Sequence, residues 1–255
     1  APVVPSATEL AARHYDYELD VFHPVQSRNG MVASEHRLAS EVGLQILQKG
    51  GNAVDAAVAM GFALAVTLPN AGNLGGGGFM LLHDAKTGSN HALDFRETGP
   101  AAAHRNLYLD EQGNVIEGES IYSHRSIGVP GSVAGLEHAL HNWGSMSLKE
   151  VIRPAIRLAN KGFPVSHTLA KMLSVQQEQL GQWPATREIF FRDGRPLRAG
   201  EQLVQKDLAR SLKLIARQGG KAFYEGKIGE ATVEEMQRHG GLISMQDLAN
   251  YRAIE

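Results

Sequence analysis

Asn70-Ala71-Gly72-Asn73-Leu74-Gly75-Gly76-Gly77-Gly78-Phe79-Met80 is the stretch from which the rest of the chain is best read, together with the Asp94-Phe95-Arg96-Glu97 segment beyond it. Four consecutive glycines strip the side chains from one point, so something must approach the backbone closely there. A strand-like apolar run follows, and then an arginine set between two acids. A guanidinium is planar, forked and permanently charged, which suits it to two-point capture of a carboxylate.

Two readings of each feature stay open at this level. The glycines either let a strand pack against another backbone or shape the wall of a site. A phosphate loop is a poor match, because it needs a strand before the glycines and a helix and lysine after them. Here a helical pattern precedes and a strand pattern follows. Arg96 either binds a ligand or pairs with Asp94 or Glu97; in a strand Asp94 and Arg96 would share a face.

Working outward, Asn29-Gly30 marks a turn and Met31-Val32-Ala33 a short strand. Ser34 is expected to cap a helix whose apolar positions Leu38, Val42 and Ile46 recur at helical spacing, closed by Lys49-Gly50-Gly51. Asn52 with Asp55 opens a second helix over 53–66, apolar on nearly all sides and therefore buried. Strands are expected over 79–83 and 91–95, joined by the polar loop 84–89. Helices are expected over 132–142, from a Ser147/Glu150 capping box to Lys161-Gly162 with a kink or restart at Pro154, over 166–179, 206–218 and 225–238, with a last turn opened by Ser244 and Asp247. The tail 251–255 starts an extended segment and stops without a cap, as if cut or continued elsewhere. Strands first and helices later favour an α+β layered domain.

Composition narrows the chemistry. The chain has 255 residues, 43% of them apolar, enough for a substantial core, and a net charge of −2 gives no electrostatic case for nucleic acid. It contains no cysteine, which removes disulfides, thiolate catalysis and thiolate zinc sites. No apolar run reaches the length of a membrane span. The start Ala1-Pro2-Val3-Val4-Pro5-Ser6 is that expected after signal-peptide removal, and residues 1–24 read as a solvated N-terminal arm. Asp16, Glu18 and Asp20 alternate as in a calcium loop, but Val21 stands where the loop needs glycine. Gly131-Ser132-Val133-Ala134-Gly135 fails as a nucleophile elbow, since Pro130 stands two before the serine. His138 and His141 could share a helical face, but without a carboxylate set nearby no metal site is expected.

The motifs in sequence resemble the large subunit of the γ-glutamyltranspeptidase family. The matching stretches are Asn52–Ala59, Ala71–Met80, Asp94–Glu97, Gly128–Gly135, Pro154–Ala159 and Gly240–Ile243, in the family's order and spacing over about residues 20–255. The resemblance implies an N-terminal nucleophile hydrolase with a four-layer αββα sandwich, in which 25–255 form part of a single domain completed by a second subunit. In that family a precursor cuts itself, and the new N-terminal threonine of the small subunit attacks a γ-glutamyl amide such as glutathione. Water, an amino acid or a peptide then takes the acyl group, and no cofactor is called for.

Of the family's ligand residues only Arg96 falls in this chain, where it would hold the substrate's α-carboxylate. No catalytic nucleophile is expected here, and the large subunit should continue beyond Glu255. The expected partner is the small subunit from the same precursor, in an obligate heterodimer, and the expected location is the periplasm or the medium. The alternatives are a cephalosporin or glutaryl acylase of related sequence, or a scaffold remnant without catalysis.

Overall fold

The computed structural model describes residues 26–255, so the expected arm over 1–24 and the rejected calcium loop lie outside the described residues. The chain divides after Met31, and the architecture below is that of Val32–Glu255.

Helix α1 (Arg37–Gln48) and helix α2 (Ala53–Thr67) form the centre. Helix α2 is buried at Val54, Ala56, Val58, Ala59, Phe62, Ala63 and Val66, positions that surround its axis, as its uniform apolarity requires. Asn52 and Asp55 close its N-terminus in the expected capping box. At the other end, the buried Gln205 amide donates to the Val66 carbonyl at 2.8 Å, supplying a partner that the helix terminus lacks.

Strands β1 (Phe79–Asp84) and β2 (Ser89–Asp94) form an antiparallel hairpin with Met80 opposite Leu93 and Leu81 opposite Ala92. One face turns Met80, Leu82 and Leu93 inward. The opposite face leaves Phe79 63% and Leu81 85% exposed. Ile254 joins the free edge of β2, exchanging two backbone hydrogen bonds of 2.8 Å with Asp94, so the tail is extended as expected.

A short helix α3 (Glu119–Tyr122) and a 3-10 turn (His124–Ser126) lead into α4 (Ser132–Trp143) and α5 (Leu148–Lys161). There follow β3 (Phe163–Pro164), α6 (His167–Val175), α7 (Gln177–Gly181), α8 (Pro184–Phe190), β4 (Phe191–Arg192), β5 (Arg195–Pro196) and β6 (Gln202–Leu203). The chain closes with α9 (Lys206–Gln218), α10 (Lys221–Tyr224), α11 (Lys227–His239) and α12 (Met245–Asn250). Helix α5 packs against both α2 and α9, carrying Val151, Ile152, Ala155 and Ala159 into the core. The class is α+β, as expected.

Several boundaries differ from expectation. Helix α1 is capped by His36, whose Nδ1 accepts from the Leu38 N–H, while the Ser34 hydroxyl turns to the His36 carbonyl and to Ser40. Helix α5 runs unbroken through Pro154, whose ring is buried among the apolar residues that hold the helix. The segment 166–179 is two helices meeting at Gln176, and 225–238 begins later, at Lys227. The two-residue strand pairs β3–β6 and β4–β5 were not foreseen.

Candidate functional site

Three motifs remote in sequence meet at Phe95–Arg96. The hairpin's ladder continues past β2, with Phe95 N–H donating to the Gly78 carbonyl at 2.9 Å and Gly78 N–H returning to Phe95 at 3.3 Å. Phe95 is buried. Two residues beyond Arg96, Thr98 and Val129 exchange hydrogen bonds of 3.2 and 2.8 Å, tying the far side of Arg96 to the 128–135 segment.

The glycine run sits against this same corner. The Gly76 carbonyl accepts from the N–H groups of Gly131 at 2.8 Å and Ser132 at 2.9 Å, occupying unpaired donors at the start of α4. A Cβ on Gly77 would lie 2.5 Å from the Phe95 carbonyl oxygen and 2.8 Å from both Arg96 Cα and Glu97 N. These are backbone atoms and cannot swing aside. Gly131 is as tight from the other side, against the same Phe95 carbonyl and the Tyr251 hydroxyl. None of the four consecutive glycines has positive φ, so close approach rather than turn geometry explains them. Of the two readings left open for the run, backbone packing is the one seen, and what is packed is the segment bearing Arg96.

Tyr251 completes the clamp by donating its hydroxyl to the Arg96 carbonyl at 2.8 Å. Burial, aided by the charges of Asp94 and Glu97, pushes the Tyr251 hydroxyl up to about 12, so it remains a donor throughout the physiological range. Its ring stacks on Tyr224, whose hydroxyl donates to the Pro130 carbonyl at 3.0 Å and accepts from Ala134 N–H at 3.1 Å.

Arg96 itself is exposed. The Asp94 carboxylate is turned onto the Arg96 backbone N–H at 2.9 Å. Among the described residues no carboxylate forms an ion pair with the Arg96 guanidinium. The result is a free forked cation on a backbone fixed by hydrogen bonds before, at and after it. Chemically it can receive a carboxylate in a defined orientation.

The other candidates separate. His138 bonds Glu255 through Nε2 at 2.6 Å and packs edge-on to Trp143, while His141 is exposed. A grouping that sequence reasoning missed lies elsewhere: His124, Glu235 and His239, with ligand-capable atoms all within 4.8 Å of one another. Glu235 and His239 stand one turn apart on α11, a legible spacing, but nothing local announces that His124 folds onto them.

The family model for gamma-glutamyltranspeptidase matches residues 39–255. The chain is 51% identical to the glutathione hydrolase proenzyme of Escherichia coli over 242 residues, covering 94% of this chain and 42% of that protein. The chain therefore spans about two fifths of the length of such curated relatives. The crystal structure of Helicobacter pylori gamma-glutamyltranspeptidase superposes with a TM-score of 0.88 at 43% identity, over 91% of this chain and 66% of that one. The Acylase ACY 1 proenzyme of Pseudomonas sp. strain V22 is 38% identical, over 90% of this chain and 42% of that protein.

Proposed function

The chain belongs to the gamma-glutamyltranspeptidase family, and from that premise we propose that it is the large-subunit part of an enzyme that moves the γ-glutamyl group of glutathione and related amides to water or to amino acid and peptide acceptors. Arg96 holds the α-carboxylate of the γ-glutamyl group. The nucleophile is the N-terminal threonine of a small subunit released from the same precursor. Its hydroxyl adds to the γ-carbonyl, the amine departs with a proton, and the resulting ester is cleaved by water or an acceptor amine. The part of this chain is positional: a fixed cation places the scissile carbonyl before the nucleophile.

The observation that carries this reading is the free guanidinium of Arg96 on a backbone clamped by Gly77, Gly131 and Tyr251. A second polypeptide is supported by the bare apolar face of the hairpin, where Phe79 and Leu81 stand largely in solvent. A covering sheet from the small subunit would bury it, making 25–255 one part of a shared αββα domain. Among the described residues no helix is long and apolar enough to cross a membrane. Export to the periplasm or medium belongs to the same proposal and is tested by cell fractionation.

The similarity to the acylase supports a second reading, an acylase, for which the sequence resemblance offers glutaryl or cephalosporin amides as substrates. Arg96 separates the two, because γ-glutamyl substrates carry a free α-carboxylate. In the mature enzyme, Arg96→Ala is expected to lower kcat/KM on a γ-glutamyl anilide by about 2–5 kcal/mol, the loss for a desolvated charge pair. Arg96→Lys should rescue poorly, since an ammonium cannot fork across two oxygens. Near wild-type kcat/KM in Arg96→Ala would overturn the assignment, and faster turnover of glutaryl than of γ-glutamyl amides would favour the acylase.

A further inference from the structure

The cluster at the junction of the 3-10 turn and the end of α11 has the composition and spacing of a metal site. His239 Nε2 lies 3.3 Å and His124 Nε2 3.9 Å from the same oxygen, Glu235 Oε1. Two ligands on a tetrahedral zinc ion with bonds of about 2.0–2.1 Å stand roughly 3.4 Å apart, so both Glu235–histidine pairs lie within about half an ångström of that spacing, and the set, whose atoms all lie within 4.8 Å, closes by rotation of the more exposed Glu235 and His239 side chains. The two imidazoles are stacked, with centroids 4.7 Å apart and 22° between their planes, so His239, the more exposed of the two, turns to bring both rings onto one ion.

The surroundings hold the donors in place. Trp183 meets both rings edge-on, with centroids 4.9 Å from His124 and 5.3 Å from His239. Arg238 takes the other carboxylate oxygen, Glu235 Oε2, at 3.2 Å, and so leaves Oε1 facing the histidines. The His124 side chain is only 14% exposed, whereas Glu235 and His239 are 44% and 38% exposed, which leaves the set open on one side for an ion and its water.

We propose that His124, Glu235 and His239 bind a divalent transition ion of the zinc class, with Nε2, Oε1 and Nε2 as ligands and water completing the shell. Two imidazoles and one carboxylate without thiolate suit zinc, nickel or copper better than calcium or magnesium, which prefer all-oxygen shells. The ion would pin the 3-10 turn to α11. That turn runs directly into the 128–135 segment that clamps Arg96, so the site acts as a staple on the frame and not as a reaction centre.

The test uses the mature protein matured from its full precursor, purified without a polyhistidine tag and stripped with a chelator. Calorimetric titration with zinc chloride should give one equivalent bound tighter than about 10 μM. His239→Ala and Glu235→Gln, both at accessible positions that leave the fold intact by circular dichroism, should each weaken that equivalent at least about tenfold. His138→Ala, a histidine outside the cluster, should leave it unchanged. Cobalt should report the same site by its visible absorption and lose that band in His239→Ala. Absence of a stoichiometric equivalent at that affinity, or one that survives both His239→Ala and Glu235→Gln with less than tenfold weakening, overturns the proposal.

Discussion

Gly77→Ala adds a single methyl where the Arg96 frame offers only backbone atoms as neighbours. Its Cβ would stand 2.5 Å from the Phe95 carbonyl oxygen, so one of the two must retreat by about 0.9 Å to reach the 3.4 Å of ordinary contact. The Phe95–Glu97 backbone is not free to yield. It is held by the Gly78–Phe95 pair, by the Tyr251 hydroxyl on Arg96 and by the Thr98–Val129 pair. Overpacking of this kind costs about 1–3 kcal/mol, and loosening one or two of these hydrogen bonds adds about 1 kcal/mol each. The expected destabilisation is therefore about 2–5 kcal/mol, or a fall in Tm of about 4–20 °C for a chain of this size.

Relief through movement of Arg96 carries a kinetic signature, because a misplacement near 1 Å costs about a hundredfold in rate. Thermal denaturation and kcat/KM on a γ-glutamyl anilide should then fall together in Gly77→Ala. Gly77→Val, with a branched side chain, should block folding or maturation. Gly76→Ala is the control, since its added carbon meets only the end of the Asn73 side chain, at 2.9 Å, which can swing away. Gly77→Ala with wild-type Tm and wild-type kcat/KM would refute the reasoning.

Three further outcomes follow from the same geometry. Tyr251→Phe removes the donor to the Arg96 carbonyl and should cost about 1 kcal/mol of stability with a several-fold loss of kcat/KM on a γ-glutamyl anilide, whereas a merely structural tyrosine would move Tm alone. Asp55→Asn should destabilise by about 2–4 kcal/mol in denaturant titration, because the buried carboxylate accepts from Asn52 N–H, Ser145 N–H, the Ser145 hydroxyl and Met146 N–H. Burial would raise the Asp55 pKa, but the bonds from Ser145, Met146 and Asn52 lower it on balance, so its contribution is complete above the ordinary carboxylate value of about 4 and lost as pH falls below it; wild type and Asp55→Asn should converge in acid. Glu201→Gln should leave Tm nearly unchanged, its bidentate pair with Arg195 being partly solvated even though that guanidinium holds the carboxyl down at about 2.

The sequence disclosed what short-range chemistry decides. The boxes at Asn52/Asp55, Ser147/Glu150 and Ser244/Asp247 each involve residues three apart, and all three are present. Helix α9 falls on 206–218 because its buried Ala209, Leu212 and Ile215 repeat every three residues. What escaped was long-range. The Asp55 carboxylate serves its own cap and also fastens Ser145 and Met146 some ninety positions away, a second duty that no local pattern encodes. Strand β3 exists only because Phe163 meets Leu203, and the cap at His36 prevailed over the better cap former Ser34, which found partners elsewhere.

The candidate site divides along the same line. Arg96 was visible as an isolated guanidinium beside a glycine run, yet composition could not tell a ligand-binding arginine from one paired with its neighbour. What the fold adds is that Asp94 is committed to the backbone N–H of Arg96, and that Tyr251, 155 residues further along, grips the carbonyl. The arrangement spends its rigidity on the backbone and leaves the charged side chain free. An arginine fixed by its own ion pairs would have to break them to receive a substrate, and would forfeit much of the Coulomb gain in doing so. Fixing the main chain through Gly77, Gly131 and Tyr251 orients the cation without neutralising it, which is what preorganised capture of a carboxylate requires.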